Sequence, residues 1–178
     1  MNVLVITGHL KNAKNKAGFH HVISSLEQTN IDLTILSFPV PLNELFRSSD
    51  NASRDKYKWF HLYVPFRPVH LRYKFVNWGV LFFSKLLAKL YGFVFFSFFN
   101  KNYDRIIIES GYCLYLINRP IKNCKITYRV SDSPKSLRLN EDLINREARL
   151  LPFFDKVSVP SLSIYSYYDN LIASNNTT

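Results

Sequence analysis

Short runs rich in β-branched residues alternate with helix-prone segments along almost the whole chain, and that alternation constrains the fold more than anything else in it. Residues 3–7, 31–36, 57–64, 104–109, 125–130 and 157–159 read as strands. Residues 18–26, 69–91, 140–150 and 161–172 read as helices, with Asn140 as an expected N-cap, and a short helix is expected between Gly111 and Arg119. Residues 39–55 carry Pro39 and Pro41 and read as loop with a short helical piece. Alternation of this kind predicts an α/β fold, a Rossmann-like parallel sheet with helices on both faces. A single domain is expected over residues 1–173, with a disordered tail at 174–178.

The chain has 178 residues, 47% of them hydrophobic and 20% charged, which is enough to bury one core. Cys113 and Cys124 lack zinc or redox spacing and read as reduced core thiols of a cytosolic protein. The opening MNVLVITGHL has no basic segment followed by a long apolar run, so no signal peptide is expected. On that expectation the N-glycosylation patterns at Asn51 and Asn176 are chance matches.

The net charge of +10 is unevenly placed. Between Lys56 and Tyr103 there is no Asp or Glu, while eight Lys or Arg fall in the same stretch. Such a segment attracts anionic lipid, pyrophosphate or nucleic acid. Nucleic acid is the poorest fit, because the aromatics form long apolar runs rather than interleaving with basic residues. Residues 75–99 are long enough to cross a bilayer, yet Lys85 and Lys89 sit near the middle, where each would cost about 2.5–3.5 kcal/mol. At about 100° per residue, Lys74, Lys85 and Lys89 fall within roughly 60° of one another, with Trp78 on the same stripe. Three readings stay open: a helix lying at a membrane interface, a core helix whose rings face the sheet, and a span.

In parallel sheets ligands bind at the carboxyl ends of the strands. That rule points to Gly8-His9, Glu109-Ser110-Gly111 and Ser131-Asp132. Asp132 follows a β-branched strand and precedes Pro134 in the chain, and its carboxylate either accepts a proton from a substrate hydroxyl or caps the next turn. Glu109 ends a buried strand and must therefore be paired. His9, His20 and His21 lie at or after the first strand with no metal-binding spacing around them. The loop from Gly8 to Gly18 lacks GxGxxG and GxxxxGK[ST], so no nucleotide site is expected in it.

Several of these pieces occur together in one family. The first strand with His9, Ala17-Gly18-Phe19-His20, Ile108-Glu109-Ser110-Gly111, Thr127-Tyr128-Arg129-Val130-Ser131-Asp132 and Asp155-Lys156-Val157-Ser158-Val159 span nearly the whole chain. In this order and spacing, the chain resembles the N-terminal half of the xanthan-type glucuronosyltransferases, which have the two-Rossmann-domain GT-B fold. The resemblance implies an inverting, metal-independent transferase without a cofactor. It moves a sugar, glucuronate in the best-known case, from a UDP-sugar donor to a polyprenyl-pyrophosphate-linked oligosaccharide. It implies Asp132 as general base and acceptor contacts from His9, His20, Glu109, Ser110, Gly111, Arg129 and Ser131. It also implies peripheral docking on the inner face of a bacterial inner membrane, giving Lys74, Trp78, Lys85 and Lys89 an anionic surface to meet. The C-terminal, donor-binding domain of the family has no counterpart in this sequence. An excised or truncated domain, a split enzyme with a separate donor-binding polypeptide and the remnant of a broken gene all stay open as expectations, and the alternative function is a non-catalytic membrane-docking or partner-binding subunit.

Overall fold

The computed structural model describes residues 1–11, 18–45, 57–66, 74–98, 103–118, 121, 124–131 and 141–175; for residues 18–20, 74–77, 163 and 170–175 it describes the backbone alone. In chain order the elements are β1 Asn2–Thr7, α1 Gly18–Glu27, β2 Asp32–Pro41, β3 Lys58–Val64, α2 Lys74–Phe98, β4 Arg105–Glu109, β5 Lys125–Arg129, α3 Glu141–Leu150, β6 Lys156–Ser158 and α4 Leu162–Asn175. A 3-10 turn, Tyr112–Leu116, follows β4. The strands form one six-stranded sheet in the order β3-β2-β1-β4-β5-β6, and every pair is parallel. Strand order reverses between β1 and β4, and in such sheets the carboxyl ends at the reversal are where ligands bind.

Buried strands of such a sheet need apolar residues on both sides. Val3, Val5, Leu33 and Ile35 pack on one face with Ile23 of α1. Leu4, Ile6, Leu36, Ile106, Ile108, Ile126 and Tyr128 pack on the other with α2, α3, α4 and the 3-10 turn. Helices therefore cover both faces, as the alternation predicts.

Helix α2 packs through one stripe whose middle is small. Val80, Ser84, Ala88, Gly92 and Phe96 are its buried positions, spaced four apart down one stripe. At Gly92 the approach is so close that an added Cβ would lie 2.0 Å from the backbone oxygen of Leu116. Asn118 closes the contact by donating its amide to the Lys89 carbonyl at 2.8 Å. The aromatics fall on the opposite side: Trp78, Phe82, Phe83, Phe93 and Phe98 are exposed, with Leu86, Leu90 and Val94 among them. Of the three open readings, a core helix whose rings face the sheet holds only for Tyr91, Phe95 and Phe96 among the described rings; at Gly92 the Leu116 backbone leaves no room for a side chain.

Three boundaries differ from expectation. β2 continues to Pro41, where residues 39–55 read as loop: Val40 and Pro41 pair with Tyr63 and Val64 across a register shift that accommodates Pro39. α2 begins at Lys74 and runs to Phe98 instead of spanning residues 69–91; the first part of that expectation, 69–73, lies outside the described residues. α4 includes Ser174 and Asn175, so the tail expected to be disordered begins inside a helix, and 176–178 lie outside the described residues. The expected cap Asn140 also lies outside them. Cys113 and Cys124 are both free thiols, and Cys113 donates to the Phe38 carbonyl at 3.3 Å.

Candidate functional site

Glu109 closes β4 beside β1 and β5, with a residue exposure of only 3%. A carboxylate removed from water this completely needs donors, and the neighbouring strand ends supply them. Thr7, the last residue of β1, donates its hydroxyl to Oε2 at 2.6 Å. Ser131, just past β5, donates to Oε1 at 2.7 Å. Arg129, the last residue of β5, places Nη1 3.0 Å from the same oxygen and 3.2 Å from Ser131 Oγ. His9 brings Nε2 to 3.4 Å from Oε1. Burial acts to raise the Glu109 carboxyl. Hydrogen bonds from His9 and Thr7, the His9 charge and the Ser131 bond outweigh it, and the group lies below the ordinary glutamate value.

The surrounding backbone is held as firmly. Ser110 N–H donates to the Arg129 carbonyl at 2.8 Å, and Ser131 N–H donates to Ser110 Oγ at 3.0 Å, locking the two strand ends together. His9 N–H donates to Thr7 Oγ1 at 3.0 Å, while Ser37 donates to the His9 carbonyl at 2.7 Å. Trp59 in turn donates its indole N–H to Ser37 Oγ at 2.7 Å. Gly111 has φ of 100°, a conformation that favours glycine, and turns the chain from β4 into the 3-10 turn. The result is an ionised carboxylate at the β1/β4 reversal, presenting one guanidinium and one imidazole that are each partly exposed. Groups of this kind can hold phosphate oxygens or sugar hydroxyls.

The structure brings together His9, Glu109, Ser110, Arg129 and Ser131 from the sequence-predicted set, with Gly111 adjacent. His20 lies on the described backbone of α1, but its side chain lies outside the described residues. Asp132 lies outside them too; it follows Ser131 directly in the chain. Sequence reasoning missed Thr7 and Ser37. Their signal was a hydroxyl near the end of an otherwise apolar strand, which needs a partner when buried. Among the described residues no group of three or more His, Cys, Asp or Glu side chains is placed to hold a metal.

The lysine stripe divides. Lys85 turns towards the protein, with Nζ 2.7 Å from Asp142 Oδ2 and above the Tyr115 ring. Tyr115 donates to the same carboxylate oxygen at 2.7 Å, and Arg146 stands on the Tyr115 ring as well. Lys85 is therefore part of a clasp joining α2, the 3-10 turn and α3, not a residue of the open face. Lys89 is exposed and Trp78 is 70% exposed; only the backbone of Lys74 is described. The residues from Trp78 to Phe98 are long and apolar enough to cross a membrane by length and composition. Their inner stripe, however, is committed to the core.

A family profile described as glucuronosyltransferase GumK, N-terminal domain, matches residues 5–160. Among solved structures the chain is similar to a UGT transferase from Siraitia grosvenorii in complex with UDP, with 17% identity and a TM-score of 0.35, over 72% of this chain and 27% of that one. The chain thus spans about a quarter of that protein's length. Comparison with curated proteins gives no match. Because the family profile covers most of the chain, the chain belongs to the glucuronosyltransferase GumK N-terminal domain family.

Proposed function

We propose that this domain holds the acceptor in an inverting sugar transfer from a UDP-sugar to a polyprenyl-pyrophosphate-linked oligosaccharide, in exopolysaccharide or capsule synthesis. The observation that carries the reading is the paired Glu109 carboxylate at the β1/β4 reversal, in a chain of this family. Asp132 serves as general base: it takes the acceptor hydroxyl proton as that oxygen bonds to the anomeric carbon and UDP departs from the opposite face. Ser131, held by Glu109 and Ser110, positions the chain at the point where Asp132 begins. Arg129 and His9 contact the acceptor. No metal is required in this scheme. The donor is held by a second domain, either continuous with this sequence or on another polypeptide.

The exposed apolar side of α2 docks the domain on the cytoplasmic face of an anionic bacterial inner membrane. Phe82, Phe83, Phe93 and Phe98 enter the acyl boundary, and Trp78 and Lys89 stand at headgroup level. The test is transfer by the complete enzyme with Asp132→Asn: loss of transfer with folding intact supports the role, and retained transfer removes it. A second reading, a non-catalytic docking subunit, is favoured by the same helix face. It expects vesicle binding by the chain with no transfer under any pairing with a donor-binding partner.

A further inference from the structure

Between the end of α2 and the sheet lies a cavity of about 510 Å³ that the chemistry at the β1/β4 reversal does not use. Its floor is built from paired positions of neighbouring strands: Asn2 beside Asp32, Thr34 beside Lys58, and Leu36 beside Phe60. Leu62, Phe95 and Tyr103 complete the wall, the two rings stacked with centroids 6.3 Å apart. Polarity is graded along it. Asn2, Asp32 and Lys58 open their strands and gather at one end, while Leu36, Phe60, Leu62 and Phe95 line the rest. A cavity of this size with an apolar interior and polar groups confined to one end suits a small amphiphile.

We propose that this cavity takes one hydrocarbon chain, the acyl tail of a membrane phospholipid. Its place relative to α2 supplies the occupant. Phe95 lines the wall, while Phe93, Val94 and Phe98 beside it in α2 are exposed on the outer face. Apolar surface therefore continues from that face round to the cavity, and β3, an edge strand with Phe60 half exposed, leaves the side open. A tail leaving the bilayer beside α2 enters past Phe95, and Lys58 at the polar end of the cavity meets the headgroup. The cavity opens near the amino ends of the strands, whereas the Glu109 cluster sits at their carboxyl ends. The lipid held here thus anchors the domain and is distinct from the acceptor. The inference rests on the membrane reading of α2, but its test needs neither a membrane nor sugar transfer.

The experiment is equilibrium binding of cis-parinaric acid, a fluorescent eighteen-carbon fatty acid, to the full chain without vesicles and below the micelle concentration. Saturable binding of one probe per chain is expected, displaced by oleate and not by geranylgeraniol. Thr34→Phe and Leu62→Trp fill the cavity and should each weaken binding at least tenfold while the circular dichroism spectrum is kept. Leu86→Ser with Leu90→Ser on the outer face should leave probe binding unchanged while weakening vesicle binding. Binding lost with the outer-face pair, or untouched by both filling variants, overturns the proposal, as does the absence of saturable binding. Displacement by geranylgeraniol alone overturns the acyl assignment in favour of an isoprenoid tail. If the filling variants do not fold, ¹³C-oleate contacts to the Leu36 and Leu62 methyls of the wild-type chain support it, and contacts to Leu86 and Leu90 instead overturn it.

Discussion

The Thr7 hydroxyl donates a 2.6 Å hydrogen bond to Glu109 Oε2 across the β1–β4 seam, joining residues 102 positions apart in the chain. This bond lies where the strand order reverses, so the polar cluster sits at the sheet's switch point. Four side chains converge on Glu109 from two strand ends, those of β1 and β5, and the carboxylate is what keeps Arg129 and His9 in place.

Glu109→Gln removes the charge and keeps the shape. The folded carboxyl lies below its unfolded value, near about 4.3. Its stabilisation is therefore present above that value and lost as pH falls through the folded one. Urea midpoints of the wild-type chain should carry this loss on the acid side, and the Gln variant should lack it. At neutral pH the variant should be less stable by about 1–3 kcal/mol, the range for losing hydrogen bonds to a charged group.

Glu147 should give the opposite slope. Burial raises its carboxyl, and hydrogen bonds from Tyr128 and Tyr168, the latter at 2.6 Å, only partly offset that. With the folded value above the unfolded one, its contribution is fully present at low pH and is lost as pH rises through the folded value. Glu147→Gln retains an acceptor for both phenols and should abolish that loss. Glu147→Ala strands two buried hydroxyls and should destabilise by about 2–4 kcal/mol at all pH values. Matching pH slopes for the wild-type and Gln chains would contradict this.

The two glycines of α2 should respond in opposite directions. At Gly79 an added Cβ meets nothing within 4 Å, so Gly79→Ala should stabilise by about 0.5–1 kcal/mol. Gly92→Ala drives a methyl into the Leu116 carbonyl and should cost about 1–3 kcal/mol, an overpacking penalty. Thermal unfolding of the pair reads both.

Lys85 and Lys89 should part company in vesicle binding. Lys89→Glu on the exposed face should weaken binding to anionic vesicles several-fold, more at low salt than at high. Lys85→Met, whose charge is already met by Asp142, should change binding little. It should lower stability by no more than about 1 kcal/mol, since both partners are partly exposed. Equal losses from both substitutions would restore the single lysine stripe.

The parallel sheet was legible because buried strands need β-branched runs, as in Val3–Ile6 and Ile106–Ile108, and no helix pattern fits them at that length. The requirement that Glu109 be paired was legible too, since a carboxylate ending a buried strand has no alternative. Its partners were not, because Thr7 is remote in sequence and meets it only when β4 lies beside β1. Nor was the continuation of β2: Pro39 and Pro41 read as breakers, and only pairing with Tyr63 and Val64 across the register shift carries the strand through.

For α2 the limit is physical. A helix with apolar residues on nearly every side has no periodicity to say which side packs. The sequence alone determined that the segment is helical, basic and apolar, and that a parallel α/β domain surrounds it. Tertiary structure decided that Ser84, Ala88 and Gly92 face inward, with the Leu116 backbone so close at Gly92 that no side chain fits there. Trp78, Phe82, Phe83, Phe93 and Phe98 are thereby turned outward, and Lys85 is left beside Asp142.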